Sequence, residues 1–308
     1  MNLVRRTRAR IAATTARGAE RRFCRRVLSR TESKRGAQLF ILGLPRTGTT
    51  LVYQYIVHRL HVAYFTNAVG EHPYDPCRTI WASIQSGGTY RSDFESEYGR
   101  SRGDLAPREA GNFWLRFFDI DAYQVPGDVR ESGLAEIRKT VFCTQALFGG
   151  APFVNKNVKH LLRIPVLNAS FPDPQFLVVE RDRVDVALSL LRVRLDTLGS
   201  YDAWTSVKPP TYDSLRALDP VEQIVGQIAG IERRMDDDLA AVDAGRVHRV
   251  DYDSFCRAPD SLFEACGAAL RGAAEKNPPV AGFAIRRSEP RNETEARLVE
   301  RVRKEFGA

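Results

Sequence analysis

The sequence predicts an α/β protein of three layers, a mostly parallel central sheet flanked by helices. Two observations carry this. Short apolar runs at 38–42, 153–154 and 176–179 have the look of strands buried on both faces. Each is followed by a segment of helical pattern, and strands alternating with helices favour parallel pairing. The composition agrees. The chain has 308 residues, 43% hydrophobic and 27% charged, which is enough apolar material for a core and excludes disorder throughout. No apolar run approaches the ~18 residues of a membrane span.

Residues 1–36 read as an Arg-rich helix or arm. They hold 12 Lys and Arg and two Glu. Subtracting that +10 from the net +8 leaves −2 over the other 272 residues. The basic character therefore belongs to the N-terminal segment, which suits a solvated helix or an anionic membrane surface. Nucleic acid is not expected as a partner. From residue 37 the pattern is that of the main domain, 37–308. Residues 38–42 form the first strand, a Gly/Pro/Thr loop follows, and 51–57 continue as helix. The stretch 70–106 is rich in Gly, Ser, Tyr and charge, and 70–150 reads as a functional insertion or lid. Helical patterns recur at 107–119, 128–148, 183–195, 220–243 and 292–305. A more polar strand is expected at 246–250.

Five cysteines are scattered without a CxxC pair. The odd number and wide spacing point away from a disulfide framework or a zinc site, and toward a reducing cytoplasm. The N-terminus lacks the apolar region of a secretory signal. Arginine outnumbers lysine 39 to 7, the bias expected of a high-GC bacterial source.

The strongest local signal is Gly43-Leu44-Pro45-Arg46-Thr47-Gly48-Thr49-Thr50, between a strand and a helix. Gly48 lets backbone approach a ligand closely. Free amides at the helix start favour an anion. Thr47, Thr49 and Thr50 offer hydroxyls, and Arg46 a forked cation suited to phosphate or sulfate oxygens. Thr49 stands where a nucleotide triphosphatase has Lys, which argues against ATP hydrolysis.

This loop resembles the 5′-phosphosulfate loop of sulfotransferases that use 3′-phosphoadenosine 5′-phosphosulfate (PAPS). A second motif strengthens the resemblance. Residues 176–179 lead into Glu180-Arg181-Asp182-Arg183-Val184-Asp185-Val186-Ala187-Leu188-Ser189, similar to the family's 3′-phosphate motif. Arg181 would leave the strand pointing at the ligand. Ser189 is eight residues on, about 12 Å along a helix axis, so the loop at 182–184 is expected to double back. Asp182 or Asp185 would supply charge to the helix start.

The resemblance extends over residues 37–257 and implies a P-loop-like fold, PAPS as donor, and PAP as product. It places Lys156 near the transferring sulfonate and Tyr252 near the adenine. The implied reaction moves a sulfonate to a hydroxyl or amine of a small-molecule, saccharide or glycolipid acceptor, with no metal. The alternatives are a P-loop kinase-like nucleotide enzyme and a non-enzymatic nucleotide-binding protein. The acceptor proton needs a base. The family's His position is occupied by Val158, and His160 lies close by. The preferred base is Glu109, expected to open a helix in an apolar pocket that raises its pKa; Glu71 and His72 are the alternatives. Aromatic residues between 64 and 123 suggest an acceptor wall or core packing. For the C-terminal part of the 3′-phosphate site, Arg286-Arg287 and Arg271-Gly272 are candidates.

Overall fold

The structure, a computed structural model, describes residues 3–31, 35–96 and 101–307, with residues 3–11 described as backbone only. Glu32, Lys34, Glu97, Tyr98 and Gly99, which entered the charge count and the reading of the insertion, lie outside the described residues. In chain order the elements are α1 (Leu3–Ser29), β1 (Gln38–Leu42), α2 (Thr49–Arg59), α3 (Pro76–Gln85), α4 (Gly111–Trp114) and α5 (Glu131–Leu147). There follow β2 (Phe153–Lys156), α6 (Ile164–Ser170), β3 (Pro174–Glu180), α7 (Arg183–Leu198), α8 (Tyr212–Leu215) and α9 (Pro220–Ala240). The chain ends with β4 (Val247–Asp251), α10 (Tyr252–Arg257), α11 (Ser261–Cys266) and α12 (Glu293–Phe306).

The four strands form one parallel sheet in the order β2-β1-β3-β4. Alternate residues point to opposite faces. Phe40, Leu42, Phe176 and Val178 face one layer with Ile137, Val186, Ile228 and Leu298 of α5, α7, α9 and α12. Leu39, Ile41, Leu177 and Val179 face the other, with Val52 and Ile56 of α2 and Phe255 of α10. Full burial of each such side chain stabilises the fold by about 1.5–3 kcal/mol. Strands covered on both faces explain why the runs read as continuously apolar. The sheet leaves β1 central, with its successors β2 and β3 on opposite sides. That reversal opens a crevice at the carboxyl ends of the strands, where α/β proteins bind ligands.

The helix expected over 107–119 is largely absent. Only α4 is helical there, because Pro107 and Arg108 pair with Thr66 and Phe65, the Arg108 amide donating to the Phe65 carbonyl at 2.8 Å, and Ala110 turns left-handed just before the helix. Six of the twelve aromatic residues of this region are core: Tyr64, Phe65, Tyr90, Phe113, Trp114 and Phe118 are buried. Trp81 is exposed and lies 6.5 Å from Phe23 of α1.

The second half of α1 packs on α3 and α5. Glu20 is buried and accepts the amides of Cys77 and Arg78 at 2.8 and 3.2 Å, capping α3. Cys24, Cys77 and Cys143, far apart in sequence, converge beneath this contact. Among the described residues no helix is long and apolar enough to cross a membrane.

Candidate functional site

The loop after β1 is shaped by its own residues. Gly43 has φ +154°, and a Cβ there would lie 2.7 Å from Thr47 Oγ1 and 2.8 Å from the Val179 carbonyl. Thr47 is buried; its hydroxyl and amide both donate to the Leu44 carbonyl, at 2.9 and 3.2 Å. Thr47, expected as a ligand donor, thus has both donors turned inward, where they hold the loop's curvature. Gly48, with φ +90°, caps α2 without a side-chain bond. The amides of Thr49 and Thr50 sit in the first helical turn, where no carbonyl one turn back can take them. Thr49 itself is buried.

Arg46 adopts φ +76°, a left-handed conformation uncommon for a residue with a side chain. The twist aims its exposed side chain across the crevice. Its Nε donates to Ser189 Oγ at 2.9 Å, and its carbonyl accepts from Arg181 at 3.3 Å. Arg181 and Ser189 therefore meet through Arg46. The chain does not double back over 182–184 as expected. Asp182 alone makes the turn, capping α7 by accepting the Asp185 amide at 2.9 Å. Ser189 stays on α7, and the glycine loop crosses to it.

Arg181 leaves the carboxyl end of β3 and is clasped from several sides. Its guanidinium lies 4.8 Å from the centre of the Tyr252 ring and donates to the Arg286 carbonyl at 2.9 Å. Asp185 is 3.5 Å away. Its Nε is buried and lacks an acceptor among the described residues. Tyr252 begins α10 and lays its ring on Gly48, so that a Cβ on Gly48 would fall 2.1 Å from the ring. Burial, then Cys256, pushes the Tyr252 phenol up to about 12, which keeps the ring neutral.

On the other side of β1, Lys156 ends β2 in register with Ile41. It is 7% exposed. Its Nζ donates to Thr50 Oγ1 at 3.3 Å and pairs with the Glu109 carboxylate. Glu109 is placed by its backbone: its carbonyl accepts from Trp114 Nε1 at 3.1 Å and from Asn157 Nδ2 at 3.2 Å. Asn155 Nδ2 holds the Arg108 carbonyl at 3.3 Å. Neither asparagine carries a sequence signal beyond flanking Lys156. Glu109 departs from expectation in two ways. It precedes the helix, since Ala110 intervenes with φ +52°. Its partner is an ammonium and not an apolar pocket, because the clamp on its carbonyl turns the carboxylate toward β2.

His160 is fully buried, with Nε2 2.8 Å from Asn155 Oδ1 and its ring edge-on to Phe40 and Trp114. Burial, then Arg163 and Lys156, holds its pKa well below the ordinary value. It is a neutral supporting group beneath Asn155. Glu71 and His72 are exposed; neither has a hydrogen bond or ion pair to Lys156 among the described residues. His72 lies instead 3.9 Å from Asp75.

Residues 286–288 form a strap over the crevice. Buried Asp185 accepts the Ser288 amide at 2.7 Å and Arg287 at 3.0 Å, and Arg287 also pairs with Asp253. Arg286 and Arg287 are thus at the site. Arg271 and Gly272 are not: they line a cavity of about 590 Å³ with Ala37, Pro152 and Asp173, at the amino ends of the strands. The strap is more than 90 residues from either motif, so spacing could not separate these two candidates.

A strand–glycine loop–helix unit with cations at three strand ends is a candidate anion site on a P-loop-like α/β fold. The chain belongs to the sulfotransferase family, whose model matches residues 38–270. Among solved structures it is similar to sulfotransferase STF1 from Mycobacterium tuberculosis, at 14% identity over 94% of this chain and 83% of that one, with a TM-score of 0.47. It is also similar to a sulfotransferase from Alicyclobacillus acidocaldarius, at 14% identity over 89% and 97%, TM-score 0.43. A third is sulfotransferase STF9 from Mycobacterium avium, at 16% identity over 100% and 78%, TM-score 0.44. None of the curated proteins matches the sequence.

Proposed function

We propose that this sulfotransferase uses PAPS as donor and a hydroxyl or amine of a small-molecule, saccharide or lipid as acceptor. The observation that carries the reading is Lys156, seated between Thr50 at the helix start and the Glu109 carboxylate. The residues present fit the donor. The amides of Thr49 and Thr50 with Arg46 suit the 5′ phosphosulfate, and the unpaired buried Nε of Arg181, beside Arg46 and Ser189, suits the 3′-phosphate. Tyr252 closes the adenine side.

Bound PAPS would supply an electrophilic sulfur and a phosphate leaving group. The acceptor atom bonds to sulfur as the bond from sulfur to the phosphate oxygen breaks, and the electron pair leaves on that oxygen. Arg46, Lys156 and the two amides neutralise the charge that develops there. Lys156 cannot serve Glu109 and the sulfonate fully at once. As it turns to the sulfonate, Glu109 is released to take the acceptor proton on its carboxylate. Glu109 is 30% exposed at its side chain, open enough to meet an acceptor. The segment 70–150, which supplies it, is assigned to the acceptor side of the domain at 37–308. The exposed arginines 22, 25 and 26 of α1 would favour an acceptor on an anionic membrane surface, a role for the 1–36 segment separate from chemistry.

The test is calorimetric binding of PAP against ATP, with labelled sulfate transfer from PAPS over an acceptor panel. PAP should bind and ATP should not. Arg46→Ala should abolish transfer; retained turnover, or preference for ATP, removes the assignment.

A further inference from the structure

Three helices from separate parts of the chain each bring one cysteine to a single point. Cys24 of α1, Cys77 of α3 and Cys143 of α5 place their Sγ atoms within 4.8 Å of one another. All three are buried, at 2%, 0% and 0% exposure. Cys24 Sγ lies 3.6 Å from Glu20 Oε1, and Cys77 Sγ lies 3.8 Å from Thr144 Oγ1. Phe23, Val27, Leu28 and Leu147 pack around the cluster and close it from water.

An apolar plug between helices needs no such composition. Ala, Val or Leu would fill the space without desolvating a carboxylate beside three thiols. Thiolates and a carboxylate are instead a ligand set for zinc, which takes four ligands in a tetrahedron with Zn–S near 2.3 Å. That bond length places ligand sulfurs about 3.8 Å apart. The observed cluster reaches this with side-chain shifts of about 1 Å or less. Glu20, whose Oε1 is 3.6 Å from Cys24 Sγ but outside the 4.8 Å group of the three sulfurs, can complete the set by turning its carboxylate toward them. It already accepts two amides of α3, and an ionised carboxylate has further lone pairs to give.

We propose that Cys24, Cys77 and Cys143, with Glu20 as fourth ligand, form a closed structural site for a thiophilic ion, Zn²⁺, that clips α1 to the rest of the domain. Binding releases the three thiol protons to solvent and leaves the site at −2. The positive start of α3, at Cys77, and Lys139 of α5, whose Nζ reaches the Arg21 carbonyl at 3.5 Å, offset that charge. With four protein ligands the ion has no open position, so its role is to hold structure. It has work to do. Among the described residues the other polar and aromatic ties of α1 to the domain include a 3.5 Å ion pair from Arg21 to Glu136 and the contacts of Phe23 with Trp81 and Arg17 with Tyr74. The clip decides whether the basic helix is docked.

The experiment uses the full chain, purified without chelator. Elemental analysis should find one zinc per chain. Exchange with Co²⁺ should give intense thiolate-to-cobalt absorption in the near ultraviolet and the visible bands of a tetrahedral ion. Cys143→Ser, nearly isosteric, should lose both the metal and the absorption while circular dichroism stays folded. If that variant does not fold, the wild-type cobalt spectrum decides alone. A folded wild-type chain that binds neither zinc nor cobalt overturns the proposal. So does an intact mass two hydrogens light, which would mark a disulfide.

Discussion

Lys156 and Glu109 form a buried-side ion pair at the carboxyl end of β2, 47 residues apart in sequence and joined through a clamp of two asparagines. Lys156 also touches Thr50 at the start of α2. One cation thus links the glycine loop to Glu109.

Removing the two partners should have different signatures. Lys156→Ala should lower kcat by about 10²–10³-fold, the cost of losing one donor to a developing oxyanion. Glu109→Gln should lower kcat by about 10²-fold or more and leave PAP affinity near wild type. An unchanged rate would hand the base to another group, with Glu71 and His72 next to test.

Gly48 and Tyr252 are matched surfaces. Gly48→Ala places a Cβ inside the tyrosine ring at a positive φ, so the loop or α10 must move. The variant should lose about 1–3 kcal/mol of stability and bind PAP more weakly. Adding Tyr252→Ala should recover part of the stability and none of the affinity. Full recovery of binding in the double variant would show that the ring has no part in the site.

Asp185 ties the strap to the start of α7. Asp185→Ala removes the acceptor for Ser288 and Arg287 and one neighbour of Arg181. It should cost about 1–3 kcal/mol, in the range of charge-assisted hydrogen bonds, and hydrogen exchange should rise at 286–288. Exchange confined elsewhere would show that the strap is held by other contacts.

His160 sets an acid limit on stability. Its folded pKa lies well below the ordinary 6.5, so the unfolded chain binds the proton first. The stabilisation of keeping it neutral is complete above about pH 6.5 and declines as pH falls below that value. His160→Gln should flatten the fall in thermal midpoint between pH 6.5 and 5, with a lower midpoint at pH 7.5 from lost packing. An equally steep fall in the variant would assign the acid sensitivity to other groups.

The parallel sheet and the glycine loop were legible because their determinants are local. A strand buried on both faces must be apolar throughout, and a loop that turns at once into a helix must place its glycines within a few residues. Arg181 and Lys156 were legible for the same reason, as the polar ends of such strands. The apolar pocket expected for Glu109 was not found, because Asn157 on another element holds its backbone carbonyl and its carboxylate pairs with Lys156. Thr47 read as a ligand donor since its type and position fit, yet the hydrogen bond to Leu44 is set by loop curvature.

By itself the sequence determined which strands form, which glycine loop joins the first strand to a helix, and that the net positive charge belongs to the first 36 residues. These depend on neighbours along the chain. Tertiary structure alone decided that Arg46 bridges Arg181 to Ser189, that residues 286–288 and not 271–272 cover the crevice, and that three scattered cysteines meet. Each of those joins groups whose separation in sequence carries no information about distance. Only the packing of helices on two faces of one sheet brings them within reach of a hydrogen bond or a thiol contact.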